Sequence, residues 1–356
     1  MAQRIRKGLT LLILFALAAL LTALFKPITP TVAPIQPRAS TQYWEMAGGY
    51  RIAYTVIESN QPEAIPVIYL HGGPGGYIHS SIIETLRGLA DDGFDVYLYD
   101  QSGTGLSDRR SPPKVTSFAA HVADLKEIVA EQIGAKQVHV IGHSAGGLIA
   151  AHFASANPDR VARLVLSAPA IIEPMQFTDD GRWLNEQRFA TPAALNFIDV
   201  ADGYAEATGI GQLPLRAIAS IAIAQLFNVR FAPDIEVDAA LNTMASGFTR
   251  YMVCYPDKVQ PEEGGGGAYS RTGANFFPDD FDDHRDKMRV APMPVLVLHG
   301  QCDFLPYAGM AEYVDLFPNA RYQFLPAAGH VLWWDQPAAY LRTIRTFLVA
   351  DREQNR

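Results

Sequence analysis

The pentapeptide Gly142-His143-Ser144-Ala145-Gly146 constrains this chain more than any other segment. It follows the apolar run Gln137-Val138-His139-Val140-Ile141 and precedes the helix former Leu148-Ile149-Ala150-Ala151-His152-Phe153-Ala154. A strand must therefore turn sharply into a helix, with Ser144 at the bend in a strained backbone conformation. Bulk on either side would clash in so tight a turn, which is why small residues flank the serine. A short Gly/Ser pattern recurs by chance. The strand before it and the helix after it make this one a candidate nucleophile elbow.

Three further segments supply the partners that such a serine needs. His71-Gly72-Gly73-Pro74-Gly75-Gly76 follows the strand-like Ile65-Pro66-Val67-Ile68-Tyr69-Leu70. Glycines let a backbone approach a substrate oxygen and aim N–H groups at it. Gly73 is the candidate donor from this loop, and Ala145, the residue after the serine, is the second. Pro294-Val295-Leu296-Val297-Leu298-His299-Gly300 reads as a buried strand that delivers Asp303 to a loop. Arg321-Tyr322-Gln323-Phe324-Leu325-Pro326 reads as the last strand, and His330 follows it. Asp303 is the candidate acid and His330 the candidate base. Leu166-Ser167-Ala168, at the end of the preceding strand, offers no rival carboxylate; the nearest is Glu173. The chain order is Ser, Asp, His.

These segments, taken with Tyr99-Asp100-Gln101-Ser102-Gly103-Thr104-Gly105-Leu106-Ser107, resemble the prolyl aminopeptidase (proline iminopeptidase) branch of the α/β-hydrolases. The resemblance covers roughly residues 50–170 and 290–350. That branch usually carries Arg after the Asp-Gln pair, where this chain has Ser102. It commonly has Trp after the nucleophile, where this chain has Ala145. No E-N-H-Y-F-like stretch, which helps that branch bind the free amino end of its substrate, is found here. The resemblance implies an acyl-enzyme on Ser144, cleavage next to a free amino end, and an acidic cap residue paired with the substrate ammonium. Glu173, Asp179, Asp180 and Glu186 are the early cap candidates for that pairing.

The remaining periodicity predicts an α/β fold: a mostly parallel sheet with helices on both faces. Tyr50–Val56 alternates as a half-exposed strand; Val67–Leu70, Val96–Tyr99, Val138–Ile141 and Val161–Leu166 are short buried strands. The clearest helix is Ser117–Ile133. The alternation stops after Pro169 and resumes at Pro294. A gap of that length is too long for a structureless loop and reads as a mainly helical inserted cap. The expected division is 1–26 for a signal segment, 27–42 for a Pro-rich linker, 43–170 and 291–356 for the two parts of the hydrolase core, and 171–290 for the cap. Within the cap, Leu215–Phe227 is apolar on nearly all faces and reads as a buried helix, with pocket lining or lipid contact as the alternative. Gly264–Gly267 reads as a flexible loop and Asp279–Asp283 as a solvated acidic loop.

At the N-terminus, Arg4, Arg6 and Lys7 precede the uncharged run Gly8–Phe25. Such a run makes roughly 27 Å of helix, close to the span of a bilayer. An uncleaved signal anchor with the enzyme on the extracytoplasmic side is favoured over a cleaved signal that leaves a secreted or periplasmic product. Pro27, Pro30, Pro34 and Pro37 read as an extended tether that spaces the enzyme from the bilayer without packing onto it. Positions 1–26 hold four of the 29 basic residues and none of the 37 acidic ones. The remainder carries 25 against 37, a balance of −12. That excludes an electrostatic footprint for nucleic acid. The nine histidines form no H-E-x-x-H pattern, which gives no support to a zinc protease, and acyl transfer to Ser144 needs no metal and no organic cofactor. Cys254 and Cys302 have no C-x-x-C spacing; a buried free thiol is the expected state of Cys302, with pairing to Cys254 left open.

The combined expectation is a serine hydrolase acting on a small molecule or short peptide, with aminopeptidase ahead of carboxylesterase or lipase. A non-catalytic binding module on the same fold is the alternative from another class.

Overall fold

The apolar runs pair edge to edge into one eight-stranded sheet in the computed structural model, which describes residues 2–60, 65–200, 213–271 and 282–350. The strands are β1 (Gln42–Glu45), β2 (Arg51–Ile57), β3 (Val67–Leu70), β4 (Val96–Tyr99), β5 (Val138–His143), β6 (Val161–Ser167), β7 (Val295–Cys302) and β8 (Ala320–Gly329). Their order is β1-β2-β4-β3-β5-β6-β7-β8. The first two pairings are antiparallel and all from β4 onward are parallel. The half-exposed alternation of β2 suits its place near the edge, and the wholly apolar β3 and β5 occupy the middle.

Alternate residues of each central strand feed two separate cores. Ile68, Leu70, Val140, Leu164 and Val297 pack beneath α3 (Phe118–Glu127) and α4 (Ala145–Ala156). Tyr69, Ile141, Val165 and Leu298 face the opposite way, with Ile82 and Leu86 of α2 (Ser80–Leu86) and Ile344 of the C-terminal helix. Ser117 caps α3 by accepting the Ala120 N–H. The helix expected to run on to Ile133 instead loosens into one π-helical turn over Ile128–Gln132. Helix α1 (Ala2–Phe25) is long and apolar enough to cross a membrane, and its window Arg6–Phe25 is wholly unburied.

Between β6 and β7 the regular elements among the described residues are helices, apart from one isolated bridge, Phe177 to Trp183, and about half of those residues lie outside any regular element. The main elements are α5 (Leu215–Phe227) and α6 (Asp234–Phe248). Helix α5 is not buried on all sides as expected: Ala217, Ser220 and Ala224 face inward, while Leu226 and Phe227 are exposed. Of the acidic run at 279–283, residues 279–281 lie outside the described residues.

Three other expectations are overturned. Gly264–Gly267 is not a loose loop but buried. Gly267 donates to Gly75 O and lies so close to Gly103 that a Cβ would sit 2.1 Å from its carbonyl oxygen. Only glycine permits that approach. Residues 27–38 are not a free tether either. The Ile28 N–H donates to Glu236 (3.1 Å), the Ile35 N–H to Gly264 O (3.3 Å), and Arg38 pairs with Glu263 at 2.6 Å. Proline removes several N–H donors from this segment, and two of those that remain, on Ile28 and Ile35, find acceptors on Glu236 and Gly264. Finally, Cys302 is not a free thiol: it is bonded to Cys254 across a sequence separation of 48. Closing such a loop stabilises a fold by roughly 2–4 kcal/mol. It also ties the end of β7 to the segment that follows α6.

Of the eight buried histidines, four are driven far below the ordinary imidazole range. Burial of the imidazole pulls His71 and His121 down to about 4, and His143 and His152 down to about 3. In the unfolded chain they titrate near about 6.5. Below that pH the unfolded state takes up protons that the folded state refuses, so stability falls as pH falls, down to the folded values. Each site contributes a slope of up to about 1.4 kcal/mol per pH unit. His299, lowered by burial, adds to this, while Asp238, pushed up to about 6 by burial, opposes it, as do Asp100, Asp124 and Asp234, which burial also raises. The thermal midpoint is therefore expected to be several degrees lower at pH 5 than at pH 7. Calorimetry across that range checks it; a flat or rising midpoint on acidification contradicts it.

Candidate active site

Ser144 sits where β5 gives way to α4, at φ 53° and ψ −122°. This positive φ is unusual for a side chain with a Cβ and is held from all sides. Its N–H donates to Ser167 O (3.0 Å), and its carbonyl accepts from Gly147 and Ala170 (both 2.8 Å). A Cβ on Gly146 would lie 2.4 Å from His71 O, and one on Gly142 the same distance from Gly146 O. The flanking glycines let α4 start directly against the end of β3.

The loop after β3 crosses immediately above the serine. A Cβ on Gly72 would be 2.9 Å from the Ser144 Cβ. Gly73 lines the same cavity as Ser144. Ala145 is the first residue of α4, where N–H groups lack intrahelical acceptors and the helix dipole is positive. Among the described residues no acceptor bonds to the N–H of Gly73 or Ala145.

A lattice of hydrogen bonds joins this loop to the segment after β4. The Gln101 N–H donates to His71 Nε2 (2.9 Å), and the Gln101 side chain donates to His71 O (2.7 Å). Because Nε2 accepts, the proton resides on Nδ1, which donates to Gly72 O (2.8 Å). The low pKa of the buried His71 keeps that neutral tautomer. Asp100 accepts the N–H groups of Ile78 (2.7 Å) and Leu106 (2.8 Å) and so ties both ends of the lattice. Ser102, where the resembling branch has Arg, donates to the buried Asp124 (2.7 Å), with Arg110 3.9 Å from the same carboxylate.

Asp303 and His330 meet after β7 and β8. His330 Nδ1 lies 2.9 Å from Asp303 Oδ1, which also accepts the Leu305 N–H (2.9 Å). Burial pushes the Asp303 carboxyl up, but His330, His299 and the Leu305 N–H outweigh it and hold the group below its ordinary range. The adjacent His143 ring, 4.9 Å from that of His330, is held neutral by burial and by His330 itself. The His330 loop is bolted down on both sides. Gly329 donates to Asp335 (2.8 Å) and Val331 to Met252 O (3.0 Å), while Asp335 also accepts from Cys254 (2.9 Å).

Ser144 and His330 line one cavity of about 190 Å³. Its walls are largely apolar, from Leu241 and Phe248 of α6 and from Phe304, Trp333 and Trp334. None of Glu173, Asp179, Asp180 or Glu186 lines it. Glu173 accepts from its own near neighbour Met175, and Asp180 pairs with Arg182 at the surface. The carboxylate that does line it is Glu262, which accepts from the Tyr77 hydroxyl (2.6 Å). Sequence reasoning missed it, although the Glu262-Glu263 pair directly before the Gly264–Gly267 run was a usable signal. Among the described residues no group of three or more His, Cys, Asp or Glu could hold a metal ion.

Comparison with known proteins agrees with this geometry. The family model described as alpha/beta hydrolase fold matches residues 65–337. The proline iminopeptidase of Lactiplantibacillus plantarum is 25% identical over 312 residues, covering 85% of this chain and 98% of its own length. That of Levilactobacillus brevis is 26% identical over 305 residues, covering 85% and 95%. Among solved structures, an esterase from Exiguobacterium antarcticum aligns with a TM-score of 0.60 at 17% identity, covering 86% of this chain and 98% of its own. A proline iminopeptidase from Mycobacterium smegmatis aligns at 0.55 and 22% identity, covering 87% and 97%. With most of its length matched, the chain belongs to the α/β-hydrolase fold family and is a hydrolase resembling the prolyl aminopeptidase branch.

Proposed function

We propose that this protein is a serine hydrolase working through an acyl-enzyme, and that it is an aminopeptidase of the proline iminopeptidase type. The observation that carries the reading is the strained Ser144 in one cavity with the hydrogen-bonded His330–Asp303 pair. In the proposed cycle His330 takes the Ser144 proton as the hydroxyl attacks the substrate carbonyl. The N–H groups of Gly73 and Ala145 receive the negative oxygen. His330 then protonates the leaving amine, and water, deprotonated in turn by His330, releases the acyl group. Asp303 fixes the imidazole tautomer and stabilises its cation.

Glu262 is the proposed partner of the substrate ammonium. It lies on the cavity wall and is oriented by Tyr77. The apolar walls would take the side chain of the terminal residue. They also suit an apolar ester, which keeps carboxylesterase as the second reading. For location, the reading is an anchor through α1 with the enzyme outside the cytoplasm. The Cys254–Cys302 bond supports it, since disulfides persist in oxidising compartments.

Ser144→Ala is expected to keep the fold and to lower turnover by about 10⁴–10⁶. Retention of more than about a tenth of activity on every substrate would place the nucleophile elsewhere. Glu262→Gln separates the two substrate readings. On free-amine aminoacyl arylamides it is expected to lower kcat/KM by about tenfold or more, while activated esters stay within about threefold. Equal effects on both, or ester turnover with no free-amine cleavage by the wild type, would remove the aminopeptidase reading in favour of carboxylesterase.

A further inference from the structure

The hairpin of α5 and α6 carries a concentration of exposed apolar side chains. Leu226 is 74% exposed, Phe227 70%, Val229 54% and Ile235 59%, with Leu215 also exposed. Among the described residues outside α1, the other large exposed apolar side chains are scattered singly, as on any soluble surface. The five charged residues between 213 and 248 are all paired. Arg216 meets Glu236, Arg230 meets Asp234, and Asp238 meets Arg109. A domain with a balance of −12 thus has one face that is apolar and, with Arg109 counted, neutral.

That same hairpin receives the end of α1. Arg216 donates to Leu24 O (2.9 Å), Phe25 meets Phe231 edge-on with centroids 5.8 Å apart, and the Ile28 N–H donates to Glu236. Only two residues separate the last residue of α1 from Ile28, the first residue of the 27–38 strap that is fixed on the cap. With so little slack, a spanning α1 places the hairpin at the membrane surface, and not at the end of a loose tether.

We propose that the α5–α6 hairpin docks on the outer leaflet of the membrane that α1 spans, with Leu226 and Phe227 inserted at the headgroup–acyl boundary. The neutrality of this face fits zwitterionic lipid, and its exposed apolar residues fit an interfacial element too short to span. The other side of α6 walls the catalytic cavity through Leu241, Ala245 and Phe248, so the bilayer would brace the helix that shapes the site. This inference rests on the anchor reading above.

The test uses the full chain, extracted from membranes after a carbonate wash and placed in phosphatidylcholine nanodiscs with brominated acyl chains. Phe227→Trp and Leu226→Trp are compared with Phe177→Trp, another exposed aromatic in the segment between β6 and β7 (59% exposed), after subtraction of the wild-type signal. Quenching at 227 and 226 is expected to exceed that at 177 by about threefold or more. Equal quenching at all three positions in carbonate-resistant protein overturns the docking and leaves the anchor standing. Loss of the chain in the carbonate wash overturns the anchor and the docking with it.

Discussion

The tight turn at Ser144 is the constraint on which the rest of the site depends. A serine at positive φ is held there only because β5, the start of α4 and the end of β3 are within backbone contact of one another. That contact requires hydrogen where Gly142 and Gly146 stand. It fixes the serine over the carboxyl ends of parallel strands, where the loops after β3, β7 and β8 converge. Move the turn by one residue and Ser144 would lose its four backbone partners, Ser167, Gly147, Leu148 and Ala170, at once.

The loops around it are rigid because they hold one another. Gln101 donates to both the ring and the carbonyl of His71, so the glycine loop after β3 and the glycine-containing segment after β4 form one unit. That is the physical reason for the two motifs to occur together in one chain. On the other side, Asp335 takes N–H groups from both Gly329 and Cys254, and the disulfide from Cys254 reaches the residue before Asp303. The segment following α6 thereby braces both the His330 and the Asp303 loops.

Much of this was legible in the sequence because local pattern and local chemistry coincide there. Val67–Leu70 and Val96–Tyr99 are strands at the predicted bounds, since short apolar runs between turn residues have little else to become. Asp303 and His330 follow strands that could be read, and the structure brings the two together. What failed was long-range. Nothing in the spacing of Cys254 and Cys302 shows that the ends of β7 and α6 converge. The glycines at 264–267 look like a linker until the strap, Tyr77 and Gly103 are packed against them. Residues 27–38 look like a tether because proline favours extension, whatever surface the extended chain then lies on. Glu262 escaped notice for the same reason: its position in the cavity is set by the strap and by Tyr77, which are distant in sequence.

The central claim is that Ser144 is the activated nucleophile of this fold. A fluorophosphonate probe, which phosphonylates only a serine made reactive by its surroundings, tests it directly when followed by peptide mapping of the adduct. The account predicts a single stoichiometric adduct on Ser144, abolished by unfolding the protein before labelling. No adduct on the folded enzyme, or an adduct on another serine, would contradict it.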